Sequence, residues 1–582
     1  MRRVATIFLV SLLLTNAGSA ADGEWPVASG SPQALRFSDL TEINTKNVAR
    51  LKPSFTFNTG LHHGEESATL VVGSTMYFVT PFPNYLYALD LTKPGAPVKW
   101  KFDPHADPAS QGEACCDTVN RGPAYADGKV VMNTLDGQTI AVDAATGKEL
   151  WRAHLANIRI GETLTMAPMI AEDKVLVGNS GGEFGVRGWI AALNLKDGSM
   201  AWKAFHTGPD KDVLIGSDFH PFYPQDRGKN LGIKTWPADR WKQGGGNVWG
   251  WVSYDPQARL VIYGTGNPGP WNPDQRPGEN KWTSGVFARD VDSGQARWFY
   301  QWSPHDLYDH DGINENILVD RDWKGSPRKL LLHPGRNGYL YVLDRTNGQV
   351  LSAKPFVYIN SSFGVDLKSG KLIPNPAKHT QTGKTVYDIC PTAAGAKDWE
   401  PSAYSPRTGF VYIPHANLCM DEEGVQASYI AGTPYVGAIV RQKPGHGGYR
   451  GAMTAWDVAG EKIKWDHHEN MPVWSGALVT AGDVVFYGTL DGWFRALDAR
   501  SGKLLWQYRT DSGIVGQPVA YKGPDGHEYI AILSGVGGWI GAVLTNRVDV
   551  RDSTGANGMA SAVPDLPRRG KTGGRLYVFR LG

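Results

Sequence analysis

The feature that most constrains this chain is a recurring unit: a short apolar strand, an Asp or Asn, a turn containing Gly, a polar stretch, then Trp. Ala141-Val142-Asp143-Ala144-Ala145-Thr146-Gly147-Lys148-Glu149-Leu150-Trp151 is one copy, and Ala192 to Trp202 is another, with Asn194 and Gly198 in its turn. Further copies end at Trp298, Trp465 and Trp506, and degenerate ones run from Asp90 to Trp100 and from Asp344 to Val350. Each copy reads as two adjacent strands joined by a Gly turn. The acid or amide folds back on the turn backbone, and the Trp closes one blade against the next. General core packing does not explain a Trp held in a fixed place after the turn. Four short strands per unit, recurring every 40 to 60 residues or so, point to an all-β chain folded as an eight-bladed β-propeller with tryptophan-docking repeats. Eight blades use about 70 residues each. Leu576-Tyr577-Val578-Phe579 is expected to pair with early residues, so that the first and last strands close one blade together.

Composition fits this reading. The 582 residues include 70 Gly, 37 Pro and 21 Trp, rich in turn formers and aromatic anchors, and long amphipathic helical stretches are scarce. A net charge of +2 supplies no basic stripe for nucleic acid and no acidic tail. Arg2 and Arg3 precede the apolar run Val4 to Leu14, and Gly18, Ser19 and Ala20 follow. That pattern is a cleaved secretory signal over residues 1–20, leaving 21–582 as a single propeller domain. The apolar run is too short to span a bilayer, and no other segment approaches the roughly 18 consecutive apolar residues required. The mature protein is therefore expected in the periplasm, without a membrane span.

An exported chain normally pairs its thiols, and this one has Cys115, Cys116, Cys390 and Cys419. Three pairings are open. A bond between the neighbours Cys115 and Cys116 would close a strained eight-membered ring, whereas pairing each with a distant cysteine avoids that strain.

Three motifs carry chemistry. The first is Cys115-Cys116-Asp117-Thr118-Val119-Asn120-Arg121-Gly122, and the second is Gly244-Gly245-Gly246-Asn247-Val248-Trp249-Gly250-Trp251. The third combines Ser180-Gly181-Gly182-Glu183 with Gly264-Thr265-Gly266-Asn267-Pro268-Gly269-Pro270-Trp271-Asn272 and with Pro304-His305-Asp306-Leu307-Tyr308-Asp309-His310-Asp311-Gly312. On these motifs, from about Phe37 to the C-terminus, the chain resembles the large subunit of bacterial quinoprotein methanol dehydrogenases, especially the lanthanide-using branch. The resemblance implies pyrroloquinoline quinone as cofactor and a metal ion beside it.

By that resemblance, a Cys115–Cys116 disulfide lies flat on one quinone face and Trp249 stacks on the other, with Gly-rich backbone letting the indole approach. Arg121 offers a bidentate cation to a cofactor carboxylate. Glu66, Thr165, Ser180, Gly181 and Gly182 form the polar rim, and Trp474 and Trp539 the cavity wall. Glu183, Asn267, Asp309 and Asp311 are the metal ligands, all hard oxygen donors. Calcium-using relatives carry a small uncharged residue where this chain has Asp311, so three acids here favour a trivalent lanthanide over calcium. Asp309 is the general base for the alcohol proton while the α-hydrogen leaves as hydride to the quinone, the metal acting as Lewis acid on the quinone carbonyl. Arg336, in His333-Pro334-Gly335-Arg336-Asn337-Gly338, stabilises charge developing on the quinone oxygens. Cys390 and Cys419 match the family's second, longer-range disulfide.

The chain departs from the family pattern at several points. Asn247 replaces a usual Thr, and His310 an aromatic residue between the two acids. Ala416 stands in Pro414-His415-Ala416-Asn417-Leu418-Cys419, where an Asn often contacts the cofactor. No Cys-x-x-Cys-His haem site exists, so electrons must pass to another molecule, in this family a soluble c-type cytochrome. The expected reaction is oxidation of a small primary alcohol, methanol or ethanol, to the aldehyde. A calcium-dependent ethanol dehydrogenase and a non-catalytic periplasmic scaffold are the competing readings. The acid cluster and the adjacent cysteines count against the scaffold, and whether the enzyme is a homodimer stays open.

Overall fold

The computed structural model describes residues 23–582, so the expected signal over 1–20 lies outside the described residues. The repeat appears as antiparallel four-stranded meanders. The first uses Leu70–Val72, Thr75–Val79, Leu86–Asp90 and Val98–Phe102. The same order recurs over 124–154, 169–205, 252–301 and 317–355. In the sheet over 403–469 the order is interrupted by an inserted segment, and the sheet over 478–509 gains a fifth strand when Phe37–Ser38 pairs in parallel with Leu478–Thr480. The last sheet joins Val519–Lys522, Glu528–Ser534 and Arg575–Leu581 to the early strand Leu51–Asn58, with Thr56 opposite Tyr577. The expected pairing of the C-terminal strand with early residues is therefore found.

Burial follows position within each sheet. The second strands Thr75–Val79, Lys174–Gly178 and Val484–Gly488 are buried on both faces, whereas the outer strands Val98–Phe102 and Leu51–Asn58 are largely exposed. A strand covered on both sides reads as a continuous apolar run, and an edge strand carries charge that discourages pairing with another chain.

The Trp repeat does what its register requires. Trp100, Trp151, Trp202, Trp465 and Trp506 each donate their indole N–H to a main-chain carbonyl of another sheet: Ala144, Leu195, Val291, Ala499 and Leu51, at 2.9–3.2 Å. The ring lies against the turn glycine of the following copy. A Cβ on Gly147, Gly198, Gly294 or Gly502 would come within 2.5–2.6 Å of the indole of Trp100, Trp151, Trp202 or Trp465. These glycines also have φ between 68 and 73°, a conformation other residues rarely adopt. In the third-to-fourth strand pairings the register shifts by one residue near the Trp, as between Glu149 and Trp151 or Ala192 and Leu193. Such a bulge re-aims a side chain.

Outside the repeat lie the hairpin Ser362–Asp366 with Lys371–Pro374, a three-stranded sheet of Thr385–Ile389, Leu418–Gly424 and Ala438–Pro444, and several short helices, of which Gly538–Thr545 is the longest. Cys390 and Cys419 are bonded, with sulfurs 2.05 Å apart. No helix among the described residues is long and apolar enough to cross a membrane.

Candidate active site

Antiparallel strands place the start of the first strand and the end of the second at the same edge of a sheet. The segments entering first strands carry Glu66, Arg121, Thr165, Trp249, Asp309, Asp311 and Trp474, and the turns leaving second strands carry Ser180, Gly181, Glu183 and Arg336. All of these line one cavity, together with Cys115, Cys116 and Trp539. Gly182 and Asn267 stand just behind its wall. A Cβ on Gly182 would lie 3.1 Å from Asn247 Oδ1 and 3.6 Å from Asn267 Oδ1, so glycine keeps this corner tight.

One side of the cavity is a balanced polar net. Arg121 pairs with Glu66 at 2.9 Å and donates to Thr165 Oγ1 at 2.9 Å and to the Trp249 carbonyl at 3.2 Å. Thr165 and Ser180 share a hydrogen bond of 2.9 Å. The Arg121 guanidinium lies 4.9 Å from the ring centres of both Trp249 and Trp399, a cation–π arrangement on two faces. Burial pushes the Glu66 carboxyl up to about 8, against the opposing pull of Arg121.

The other side is charged out of balance. Arg336 donates to Asp309 Oδ2 at 3.2 Å, approaches Asp311 Oδ2 at 3.3 Å and bonds Asp398 Oδ1. Glu183 faces the same space. Four carboxylates thus surround one guanidinium, leaving three negative charges uncompensated when all are ionised. The acids respond as buried like charges must. Desolvation, with Asp311 and Glu183 nearby, drives Asp309 well above the usual carboxylate range, partly offset by Arg336. Asp311 is pushed up to about 7 by burial, again against Arg336, and Glu183 is raised by burial. Asp309 Oδ1 is buried with no hydrogen-bond partner, and Asp309 sits at φ 66°. A strained, under-bonded carboxylate in a cavity is the usual mark of a working group. Asp311 Oδ1 accepts the backbone N–H of Asn267, tying the two expected ligands together. Hard oxygen donors with excess negative charge and an unpartnered oxygen suit a hard cation.

The Cys115–Cys116 bond implied by resemblance is not formed: both cysteines are free. Joining neighbours demands an eight-membered ring and a distorted intervening peptide, and here the two thiols lie side by side within hydrogen-bonding reach without that bond. The neighbouring Cys116 thiol pushes the Cys115 thiol well up.

The residues 25–353 and 438–530 match the family described as pyrroloquinoline-quinone-type glucose/ethanol/alcohol dehydrogenase, β-propeller domain. The chain belongs to this family. It is 48% identical over 566 residues to the lanthanide-dependent methanol dehydrogenase of Methylacidiphilum fumariolicum (strain SolV), covering 96% of this chain and 92% of that protein. It is 42% identical to methanol dehydrogenase [cytochrome c] subunit 1 of Methylorubrum extorquens, covering 97% and 92%. A solved europium-containing methanol dehydrogenase superposes with a TM-score of 0.95 at 48% identity, covering 96% of this chain and 98% of that one. The protein is a quinone-dependent alcohol dehydrogenase built on an all-β propeller scaffold.

In this quinoprotein several cavity residues escaped the sequence reading. Asp398 and Trp399, from Lys397-Asp398-Trp399-Glu400, line the cavity and contact Arg336 and Arg121. Asn417, by contrast, donates to the carbonyls of His446 and Tyr449 at 2.7 and 2.9 Å and holds that loop. His310 is buried, its ring bonded to the Thr392 carbonyl at 3.1 Å, and burial lowers its pKa, so it packs as a neutral ring behind the acids. Trp271, quoted within a motif but given no role, is also in the wall. The strap after Gly424 reaches the same place: Tyr435 N–H donates to the Glu183 carbonyl at 2.6 Å, and Trp271 N–H to Val436 at 2.7 Å.

Proposed function

We propose that this protein is an exported enzyme that oxidises a short primary alcohol, methanol or ethanol, to the aldehyde in the periplasm, with a trivalent lanthanide beside its quinone and a soluble c-type cytochrome as electron acceptor. Its sheets are read as eight blades of one domain over 21–582, after removal of residues 1–20. The observation that carries the metal reading is the excess of three negative charges left by Glu183, Asp309, Asp311 and Asp398 around Arg336. A trivalent ion compensates them; a divalent one leaves repulsion. The relatives named as lanthanide-dependent and europium-containing methanol dehydrogenases support the same choice, and the one named for cytochrome c supports the acceptor.

The quinone, when bound, supplies the two-electron acceptor and the metal a Lewis acid. Glu183, Asn267, Asp309 and Asp311 would hold the metal. Trp249, the Cys115–Cys116 segment, Arg121, Glu66, Thr165 and Ser180 would hold the quinone, with Gly181 and Gly182 giving it close backbone and Trp474 and Trp539 excluding water. Asp309 takes the alcohol proton at its Oδ1, which has no other partner, and its burial among acids strengthens it as a base. Arg336 stays charged, raised by the carboxylates around it, and is placed to steady negative charge on the acceptor.

The deciding experiment supplies pyrroloquinoline quinone with either a light lanthanide or calcium and follows dye-linked oxidation of short alcohols. Activity with lanthanide that collapses in Asp311→Ala is the expected result. No activity with any metal would sink the enzyme, and undiminished lanthanide activity in Asp311→Ala would sink the trivalent assignment.

A further inference from the structure

Asp117 lines the cavity but stands apart from the acids around Arg336, and its side chain is only 1% exposed. Four close donors converge on it, with the Thr118 hydroxyl a longer fifth at 3.5 Å. His63 Nδ1 and the Thr118 N–H meet Oδ1 at 2.9 and 2.7 Å, and the N–H groups of Gly64 and Gly538 meet Oδ2 at 3.1 and 2.9 Å. These donors belong to three stretches of chain far apart in sequence, and each stretch carries part of the wall: Glu66 follows Gly64, Cys115 and Cys116 precede Asp117, and Trp539 follows Gly538. The junction tolerates no side chain. A Cβ on Gly537 would lie 2.0 Å from Gly64 N and 2.5 Å from Asp117 Oδ2, and one on Gly64 would lie 2.7 Å from Gly538 N. Asp117 itself is held at φ 87°, a left-handed conformation that costs energy outside glycine.

We propose that Asp117 is a positioning residue that latches these three segments around the quinone, and that His63, 34% exposed on the outer side, is the part of the latch that solvent reaches. The inference rests on the reading of this cavity as the quinone site. Without the carboxylate, the Glu66 segment, the cysteine pair and the Trp539 helix lose the one side chain that bonds all three at once, and only pairwise ties such as Arg121–Glu66 and the Glu65 N–H to the Gly535 carbonyl remain. Burial pushes Asp117 up, but His63 and the backbone amides outweigh it and hold the carboxyl below its ordinary value, so the latch is ionised at neutral pH. His63 is raised in turn by its bond to Asp117. The acids facing this pair are Glu65, which acts on His63, and Glu66, which feels Asp117.

The test uses holoenzyme and measures quinone released on dialysis, by its absorbance. Asp117→Asn keeps the shape but exchanges an acceptor for an amide donor facing N–H groups, and release should quicken roughly ten- to a hundredfold. Release at the wild-type rate overturns the latch. Asp255→Asn breaks another buried ion pair, with Arg345 at 2.7 Å, and should lower Tm while leaving release unchanged. If it quickens release as much as Asp117→Asn, general loosening explains both and the latch falls. Wild-type release should rise with pH as His63 loses its proton, and His63→Gln should remove that rise; identical profiles would overturn the role of His63, because Glu65 and Glu66 titrate in both proteins. Wild type that retains no quinone overturns the cavity reading and the latch together, whereas variants equal to a quinone-retaining wild type overturn the latch alone.

Discussion

Asp143, in a repeat turn, and Asp309, in the cavity, carry the same carboxyl and meet opposite fates. Asp143 accepts the N–H and hydroxyl of Thr146 at 2.8 and 2.7 Å, and these bonds hold its pKa below the ordinary value. Asp309 is buried among other acids, leaves one oxygen unbonded and is driven far up. The turn satisfies every local demand and so builds the scaffold. The cavity leaves demands unmet, and that deficit is what a cation or a substrate proton can fill.

The sharpest way to break this contrast is at the cavity. Asp309→Asn should lower kcat for alcohol oxidation by about 10²- to 10⁴-fold, with the circular dichroism spectrum unchanged. An active Asp309→Asn would make the deficit incidental.

Next comes the pH dependence of the metal-free protein. Asp311 rises on folding from 3.8 to about 7, so between those values the folded state binds more protons than the unfolded one, and stability falls as pH rises through the window. Tm should therefore decline between pH about 4 and 7, less steeply in Asp311→Asn, and a bound lanthanide at 100 times its Kd should add roughly 2.7 kcal/mol. A decline of equal slope in Asp311→Asn would remove Asp311 as its source.

At the scaffold the effects are mechanical. Gly198→Ala puts a methyl 2.5 Å from the Trp151 ring at φ 73°, and should cost about 2–4 kcal/mol, read as a lower thermal midpoint with kcat per folded molecule retained. Asp143→Ala should move Tm by no more than about a degree, because the carboxyl is exposed to water that replaces its bonds. A large loss there would mean the turns are more than scaffold.

The repeat was legible because its information is local: Gly147 and Trp151 lie within one hairpin, and each docks on a like unit. The pairing of Leu576 to Phe579 with early residues was legible for a different reason, since a terminal apolar strand left unpartnered needs an edge. The cavity loops were legible through their motifs, which bring Glu183, Asp309, Asp311 and Arg336 to one cavity as expected. Asp398 was not, because its only signal is the company it keeps in space: it stands 62 residues from Arg336 with no motif linking them. The role of Asn417 could not be read from its run, and the structure shows its amide used up by the neighbouring loop. The adjacent cysteines misled in another way, since resemblance fixes which residues stand together but not whether the bond between them forms. The inserted hairpin over 362–374 has no repeat of its own to announce it.

The pairing of Leu51–Asn58 with Arg575–Leu581 has a consequence for how the molecule comes into being. Partners more than 500 positions apart must find each other, so the first strand waits as an open edge through the whole of synthesis. Until the final turn of chain arrives the ring is a broken circle with two sticky ends, and a molecule shortened by even its last strand would keep them, an invitation to join a neighbour rather than itself.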